Sequence, residues 1–137
     1  VCCDNSRAML HSAKLSMLAQ AELSDLPFAA QAFDGLVCAL ALGHLPQVDA
    51  PLAAISRVLK PNAWALISDF HPFQALNGAE RTFTSTDGVT YAVEHYPHLY
   101  AEYHTVGRRY GLEIDAVSEP QWEGKPVVLV LRYRKIA

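Results

Sequence analysis

Two polar residues follow apolar stretches that read as β-strands, where a ligand of an open α/β sheet would bind. Asp4 follows residues 1–3, and its carboxylate could accept two hydrogen bonds from the hydroxyl groups of a ribose. Asp4 could also cap the helix that follows it, and the two roles are compatible. His71 comes shortly after another apolar stretch, residues 63–68, and could take a proton from a substrate. The sequence therefore predicts a site at the carboxyl edge of a sheet.

The elements that would hold this site are clearest in residues 33–71. Residues 35–40 are almost continuously apolar, as expected for a parallel strand that is covered on both faces. Residues 63–68 form a second apolar strand. Between them a helix is predicted from Asp49, its N-cap, to Lys60 in its last turn. A strand, a crossover helix and a parallel strand make one right-handed unit of an open α/β sheet.

The flanking segments add further elements to this unit. Residues 1–3 read as the end of one strand and residues 16–21 as another, with a helix over residues 6–15 between them. The residues predicted to face inward on that helix are Ala8, Met9 and Ala13. Residues 112–117 and 127–133 are predicted to be the last two strands, paired antiparallel.

Four segments, in this order and spacing, resemble a known family. They are DNSRAML at residues 4–10, LPF at 26–28, FDGLVCALAL at 33–42 and ISRVLKPNAWALISDFHP at 55–72. Together they resemble a class I S-adenosylmethionine-dependent methyltransferase of the type 11-like kind. The resemblance implies a Rossmann-like open, mostly parallel sheet with helices on both faces, and residues 1–137 as a single methyltransferase-like domain.

The resemblance also implies the cofactor, S-adenosyl-L-methionine, and the residues that would bind it. Asp4 would accept hydrogen bonds from the ribose, and Glu22, with Leu23 beside it, would face the adenine. Ala39 and Leu40, at the end of a strand, would lie against the methionine arm. The family commonly has Asp where this chain has Glu22, so the carboxylate arm is longer here. Glu22 could instead be a solvated loop carboxylate.

One part of the family pattern is absent from the sequence. The resemblance implies a first strand in the middle of the sheet, between strands two and four, followed by a Gly-rich turn. The chain contains no G-x-G pattern, and residues 1–3 already read as strand two. We therefore expect residues 1–137 to be the C-terminal portion of an N-terminally truncated domain. Strands two and four would then expose unpaired backbone, so we expect the isolated chain to be marginally folded or to aggregate.

Residues 70–98 are irregular in pattern and rich in aromatic residues and histidines, and we interpret them as an insertion that covers the substrate. Residues 81–86 and 89–94 alternate like the two strands of a hairpin around Asp87 and Gly88. The aromatic rings suit a closed pocket for a small, partly apolar methyl acceptor. The alternative is an ordinary lid that packs on the core.

Methyl transfer from a sulfonium is an in-line displacement, to which a protein contributes alignment and a dry site. A nitrogen or oxygen acceptor can also require a base. His71 is the first candidate catalytic residue because it follows a strand at the active edge, and His98 is the second. Either histidine could instead be a structural hydrogen-bonding residue. No metal site is predicted, because Pro97 interrupts the spacing between His95 and His98. A helix is expected to begin at Pro97, so the two histidines would not share one helical face.

The composition of the chain indicates which classes of partner and which cellular location to expect. The 137 residues are 51% hydrophobic and 18% charged with a net charge of −3, which describes a globular domain and argues against a nucleic-acid partner. No apolar run approaches the roughly 20 residues of a membrane helix, and there is no signal-peptide pattern, so we expect a cytoplasmic protein without a membrane partner. The cysteines, Cys2, Cys3 and Cys38, are predicted to be buried reduced thiols.

The functional prediction is methyl transfer from S-adenosyl-L-methionine to a small-molecule acceptor, impaired in this chain by the missing segment. The sequence does not distinguish oxygen, nitrogen, sulfur or carbon acceptors, and it leaves the oligomeric state open. Two other enzyme classes lack their motifs: no Tyr-x-x-x-Lys pair supports a short-chain dehydrogenase, and no G-x-S-x-G supports an α/β hydrolase. The alternative is a non-catalytic methyltransferase-like remnant or a partner-binding subunit.

Overall fold

Residues 1–136 are described by the computed structural model and contain both strands and helices. The strands are β1 (Cys2–Asp4), β2 (Leu18–Gln20), β3 (Phe33–Ala39), β4 (Leu59–Phe70), β5 (Thr82–Thr84), β6 (Thr90–Ala92), β7 (Leu112–Ser118), β8 (Gln121–Trp122), β9 (Lys125–Pro126) and β10 (Val128–Lys135). The helices are α1 (Arg7–Ser12), α2 (Asp49–Val58), α3 (Pro72–Leu76) and α4 (Tyr100–Arg109). A short 3-10 turn covers Leu42–His44.

The main sheet contains four strands in the order β3-β4-β10-β7. β3 and β4 run parallel, whereas β10 runs antiparallel to both of its neighbours, β4 and β7. β1 and β2 form a separate parallel pair. The predicted α/β class is confirmed, with a mixed sheet in which the antiparallel pair at the end of the chain is also as predicted.

The unit β3–α2–β4 forms because helix α2 buries one apolar face on the sheet. Leu52, Ile55 and Val58 recur at helical spacing and are fully buried. Asn62, in the bend before the main part of β4, has a φ of +63°. Asn tolerates left-handed backbone geometry better than other side chains, so the bend forms without a glycine.

The start of α2 differs from the prediction. Val48 is the N-cap, and Asp49 lies in the first turn instead of capping it. The Asp49 carboxylate accepts hydrogen bonds from the guanidinium of Arg109 and the hydroxyl of Tyr110, at the far end of α4. The Asp49 side chain therefore makes tertiary hydrogen bonds instead of capping α2 as the local capping rule predicts.

The end of α2 also differs from the prediction. The helix ends at Val58, and Leu59 is already extended and pairs with Phe33 of β3. Lys60 therefore belongs to β4, not to the last helical turn, and its ammonium donates to the Asp34 carboxylate at 2.8 Å. The helix stops before Pro61 because pairing with β3 begins first.

Two other helices are shorter than their sequence patterns indicate. In α1 the Ser6 hydroxyl accepts from the Met9 N–H at 3.3 Å, and the buried side chain is Leu10. Met9, predicted to face inward, is 62% exposed. The helix expected from Pro97 begins at Tyr100 instead. Tertiary packing stabilises helices in proteins more than helix propensity does, so a local pattern can overstate helix length.

The segment predicted to cover the substrate contains α3 and a small hairpin. Strands β5 and β6 pair antiparallel, which confirms the hairpin predicted around Asp87 and Gly88. Gly88 has a φ of +82°, and the Asp87 carboxylate accepts from the Val89 N–H at 3.1 Å. The segment is anchored to the sheet edge, because the Tyr96 N–H donates to the Gly43 carbonyl oxygen at 2.8 Å.

Within residues 1–136, β1 and β3 each have only one strand neighbour. The outer edge of β3 carries Val37, whose side chain is 63% exposed. An edge strand with an exposed apolar side chain can pair with another chain and promote aggregation. The structure therefore has the unpaired edge on which the expectation of a marginal, aggregating chain rests.

The exposed edge of β3 leads to a prediction about solubility. Replacing Val37 with Lys should raise the fraction of protein that stays in solution, because a charged side chain opposes edge-to-edge pairing. The melting temperature should change little, because the side chain is mostly exposed. Val117→Lys on β7, the opposite edge of the sheet, is the matched control. Equal solubility gains from both variants, measured by ultracentrifugation, would show that the β3 edge is not the cause.

Candidate functional site

The carboxyl ends of β1 and β2 form a small hydrogen-bonded edge. The Gln20 amide donates to the Asn5 carbonyl oxygen at 3.0 Å, and the Asn5 amide donates to a Glu22 carboxylate oxygen at 3.4 Å. The Ala21 N–H donates to the Asp4 carbonyl oxygen at 3.1 Å. These contacts bring Asp4 and Glu22, both predicted from the sequence, to the same edge.

Only one of the two carboxylate oxygens of Asp4 accepts a hydrogen bond within residues 1–136. Its Oδ1 accepts from the Ser6 N–H at 2.7 Å, next to the start of α1. Among residues 1–136, Oδ2 has no hydrogen-bond partner, and the residue is only partly buried. Asp4 therefore both organises the turn before α1 and keeps an oxygen available for a ligand, so that the two roles are compatible in this geometry.

Leu23 brings apolar surface to the β1–β2 edge, and Leu40 lies directly after β3. Leu23 and Cys3, which are sequence neighbours of Glu22 and Asp4, pack against the core that contains Cys38 of β3. Ala39 ends β3, and Leu40 follows it with a φ of +55°. No hydrogen bond in the described chain joins Ala39 or Leu40 to the β1–β2 edge; Cys38, the residue before Ala39, belongs to the core against which Cys3 and Leu23 pack.

The left-handed conformation of Leu40 is unusual for a bulky side chain. Such a conformation costs roughly 1–2 kcal/mol outside glycine and often occurs at functional sites. It is held by a hydrogen bond from the Leu40 N–H to the Ser68 carbonyl oxygen at 2.7 Å. The backbone at the end of β3 is thus fixed by β4, and the Leu40 side chain is left partly exposed.

A buried carboxylate lies at the end of β4. Asp69 is 4% exposed, and its Oδ1 accepts from the Phe70 N–H at 2.8 Å. Its Oδ2 accepts from the Gly43 N–H and lies 3.5 Å from the hydroxyl of Tyr103. Burial, and then the charge of Asp69, raise the pKa of the Tyr103 phenol, so this phenol remains a hydrogen-bond donor at neutral pH.

His95 lies against Asp69. The His95 Nε2 is 3.8 Å from the Asp69 Oδ1, a separation at which the two groups interact electrostatically without a hydrogen bond. Gly43 makes this approach possible, because a Cβ at residue 43 would lie 2.5 Å from the His95 Nε2 and 2.9 Å from the Asp69 Oδ1. A glycine at this turn therefore determines how closely the imidazole and the carboxylate approach.

The environment of His95 favours its neutral form. Burial of the ring lowers the pKa of His95 below its usual value of 6.5. The negative charge of Asp69 raises this pKa, and the positive charge of Arg81 lowers it. The neutral ring is therefore able to accept a proton at neutral pH. It becomes charged only when the pH falls to its pKa, which lies below 6.5.

This pKa can be tested directly. We expect the His95 ring protons to titrate with a midpoint below 6.5 in a proton NMR titration, with His95→Gln used to assign the signals. Arg81→Gln should move the midpoint upward, because it removes a neighbouring positive charge. A midpoint above 6.5 would mean that Asp69 dominates the environment of the ring.

The two histidines predicted as bases have other contacts. His98 is buried, with Nδ1 3.0 Å from a Glu102 carboxylate oxygen and Nε2 2.8 Å from the Leu45 carbonyl oxygen. The His71 Nδ1 accepts from the Phe73 N–H at 3.1 Å at the start of α3, and its Nε2 lies 3.1 Å from a Glu119 carboxylate oxygen. Both rings hold segments of the edge in place, and their catalytic role stays a prediction.

A cavity of about 240 Å³ opens between the end of β4 and the segment over it. The residues that line it are Phe70, His71, Gln74, Ala75, Ala79, Glu80, Arg81, His95 and Val127. The sequence analysis predicted His71 in this region but did not single out the pair of Asp69 and His95. The only signal for that pair was the position of Asp69 directly after an apolar strand.

Other potential sites are limited in the described chain. No three His, Cys, Asp or Glu side chains within residues 1–136 come together in a way that could hold a metal ion. None of the helices in this range is both long and apolar enough to cross a membrane. Cys38 is buried, and burial raises the pKa of its thiol to about 12, which makes it unreactive. Cys2 and Cys3 are only partly buried.

Comparisons with known proteins agree with this architecture. Residues 1–67 match a family model described as a methyltransferase domain. Over 63 residues the chain is 36% identical to "Sterol methyltransferase-like 1" of Botryococcus braunii, a match that covers 42% of this chain and 16% of that protein. The chain therefore spans only a small part of the length of this curated relative.

Solved structures share the fold at low sequence identity. An S-adenosylmethionine-dependent methyltransferase from Clostridium acetobutylicum is 12% identical, with a TM-score of 0.81 over 98% of this chain and 74% of that chain. One from Mesorhizobium loti is 17% identical, with a TM-score of 0.75 over 96% and 78%. A 1,6-didemethyltoxoflavin-N1-methyltransferase from Burkholderia thailandensis, solved with S-adenosylhomocysteine, is 21% identical, with a TM-score of 0.60 over 88% and 51%.

Proposed function

We propose, on the premise that this chain is a class I S-adenosylmethionine-dependent methyltransferase domain, that it binds S-adenosyl-L-methionine and transfers the methyl group to a small-molecule acceptor. The observation that carries the proposal is the hydrogen-bonded edge at the ends of β1 and β2. There Asp4 keeps one carboxylate oxygen available, and Asn5 links the strand end to Glu22. Ligands of open α/β sheets bind outside the carboxyl ends of the strands.

The residues at this edge fit an adenosyl sulfonium in chemical type. The unpaired oxygen of Asp4 suits a ribose hydroxyl, and the exposed Glu22 could accept from the exocyclic amine of adenine. Leu23 offers apolar surface for the adenine ring. Ala39 and Leu40, at the end of β3, would lie against the methionine arm. The assignment of these five residues to the cofactor is part of the proposal.

The acceptor would lie under residues 70–98, which we propose as the substrate cover of a single domain formed by residues 1–137. S-adenosyl-L-methionine supplies an electrophilic methyl group, and the chain has to align the acceptor and exclude water. His95 supports proton removal best, because burial favours the neutral form of its ring although Asp69 lies beside it. His71 and His98 remain sequence-based candidates. A cytoplasmic location without nucleic-acid or membrane partners is also part of the proposal.

Calorimetric titration of S-adenosylhomocysteine into the purified chain tests the proposal. We expect saturable binding with a stoichiometry of one, and competition by S-adenosylmethionine. Adenosine alone should bind more weakly, because it lacks the group that would contact Ala39 and Leu40. A chain that is folded by circular dichroism but does not bind S-adenosylhomocysteine would overturn the proposed function.

A partner-binding, non-catalytic role is the second candidate, and the unpaired β3 edge favours it. The exposed backbone and the Val37 side chain of that edge could pair with a strand from another protein. The two candidates give different results in the same titration, because a non-catalytic subunit needs no cofactor. Failure to bind S-adenosylhomocysteine, together with a stable complex formed through β3, would support the second candidate.

A further inference from the structure

We propose that the cavity beside β4 binds a methyl acceptor that carries a carboxylate group, and that Arg81 pairs with this carboxylate. The inference rests on the proposed function and adds a substrate class to it. It comes from an arginine in the cavity wall, one buried nitrogen of which has no hydrogen-bond partner within residues 1–136.

The Arg81 side chain is held in place by its stacking contact. Its guanidinium carbon lies 4.4 Å from the centre of the Phe70 ring, which is a cation–π arrangement. The Nη1 atom is buried and has no hydrogen-bond partner among the described residues. Buried donors are nearly always paired in native proteins, so an unpaired buried guanidinium nitrogen at a cavity indicates a missing acceptor atom.

A carboxylate fits this position better than a neutral group. The guanidinium presents a planar fork of N–H donors that matches the two oxygens of a carboxylate. Glu80 also lines the cavity, but it is exposed, and no ion pair within residues 1–136 joins it to Arg81. The positive charge of Arg81 is therefore left for a ligand.

The other residues that line the cavity indicate two further features of the acceptor. Phe70, Ala75 and Val127 provide apolar surface, which suits an apolar body of small size in about 240 Å³. His95 reaches the same cavity and meets the Phe70 ring edge-on, with centroids 6.0 Å apart. The acceptor is thus inferred to carry a carboxylate at one end and a hydroxyl or amine at the other, where His95 can take the proton that methylation releases.

The experiment titrates the full chain with benzoate and with its neutral analogue benzamide. The affinity of each probe is measured by NMR. The parent should bind benzoate at least about 10-fold more tightly than benzamide, which is the effect of one charge-assisted pair. Arg81→Gln should weaken benzoate by a similar factor and leave benzamide unchanged. Arg108→Gln, which removes an exposed arginine on α4, is the matched control and should change neither probe.

Several results would overturn the inference. They are the absence of benzoate binding to the parent, equal binding of benzoate and benzamide, and unchanged benzoate binding in Arg81→Gln. Arg81→Lys guards against a loss of structure, because it keeps the charge but not the planar fork. It should bind benzoate with an affinity between those of the parent and Arg81→Gln. Benzoate binding equal to the parent in Arg81→Lys would reduce the role of Arg81 to charge alone and contradict the paired geometry.

Titration of S-adenosylhomocysteine separates this inference from the proposed function. Arg81→Gln should bind S-adenosylhomocysteine like the parent, because Arg81 lies outside the β1–β2 edge. If the parent binds S-adenosylhomocysteine but not benzoate, the acceptor class alone is wrong. If benzoate binding depends on Arg81 as expected but S-adenosylhomocysteine does not bind, Arg81 is confirmed as a carboxylate-binding residue. The proposed methyl-transfer function is then wrong.

Discussion

Replacing Asp4 with Asn should weaken the binding of S-adenosylhomocysteine by about 10- to 100-fold, equivalent to one charged hydrogen bond of about 1.5–3 kcal/mol. In the parent, one oxygen of Asp4 accepts from the Ser6 N–H and the other is unpaired. Asn can keep the bond to Ser6 with its carbonyl oxygen. Its amide group then replaces the free acceptor with a donor, which cannot accept from a ribose hydroxyl in the same way.

Isothermal calorimetry on three proteins checks this prediction. Asp25→Asn removes a carboxylate from the loop after β2 that is exposed and not placed in the site, so its affinity should equal that of the parent. The melting temperatures of all three should agree closely, because the Asp4→Asn variant should preserve the turn before α1. A change confined to the melting temperature would make Asp4 a structural residue only. Unchanged affinity in Asp4→Asn would remove the ribose contact from the proposal.

The sequence predicts the parts of the fold that depend on local patterns. The apolar stretches of β3 and β4 and the helical spacing of Leu52, Ile55 and Val58 are sufficient to identify a strand–helix–strand unit. The hairpin within residues 70–98 follows from alternation around Asp87 and Gly88. In each case the residues that determine the element lie within a few positions of one another, so the pattern can be read without knowing the fold.

The ends of helices are harder to predict, because tertiary contacts compete with local rules. Asp49 has the composition and position of an N-cap, yet it bonds to Arg109 and Tyr110 on another helix. Lys60 has the position of a C-terminal helical residue, yet pairing of Leu59 with Phe33 ends the helix earlier. Both differences arise from partners distant in sequence, which a local rule does not include.

Some residues of the candidate site can be predicted from local patterns, and others depend on contacts between distant parts of the chain. Asp4 and Ala39 end β1 and β3, and Glu22 and Leu40 come shortly after β2 and β3. Strand ends and the family resemblance predict them as site residues, and their contact with a cofactor stays a proposal. The pair of Asp69 and His95 could not be predicted, because 25 residues of loop, helix and hairpin separate them along the chain. Arg81 presents the same difficulty. Its importance comes from a buried nitrogen without a partner, which is a property of the folded chain only.

Replacing Asp69 with Asn should lower the free energy of unfolding by about 2 kcal/mol, because a buried donor is left facing another donor. Both oxygens of Asp69 accept from backbone N–H groups, at Phe70 and at Gly43. Asn has only one oxygen, so its amide nitrogen must face one of these N–H groups whichever way it is turned. Removing the buried charge recovers some desolvation energy, which limits the loss.

Urea denaturation measures this loss, with Asp115→Asn as the matched control. Asp115 pairs with Arg132 at 2.7 Å on the protein surface, so its replacement should cost less than about 1 kcal/mol. The same variant tests the site, because loss of the Asp69 charge should lower the pKa of His95 still further. If Asp69→Asn were as stable as the parent and left the His95 titration unchanged, the carboxylate would not organise this edge. The neutral form of His95 would then depend on burial and on the nearby charge of Arg81, and Gly43→Ala, which displaces the ring, would be the change that alters it.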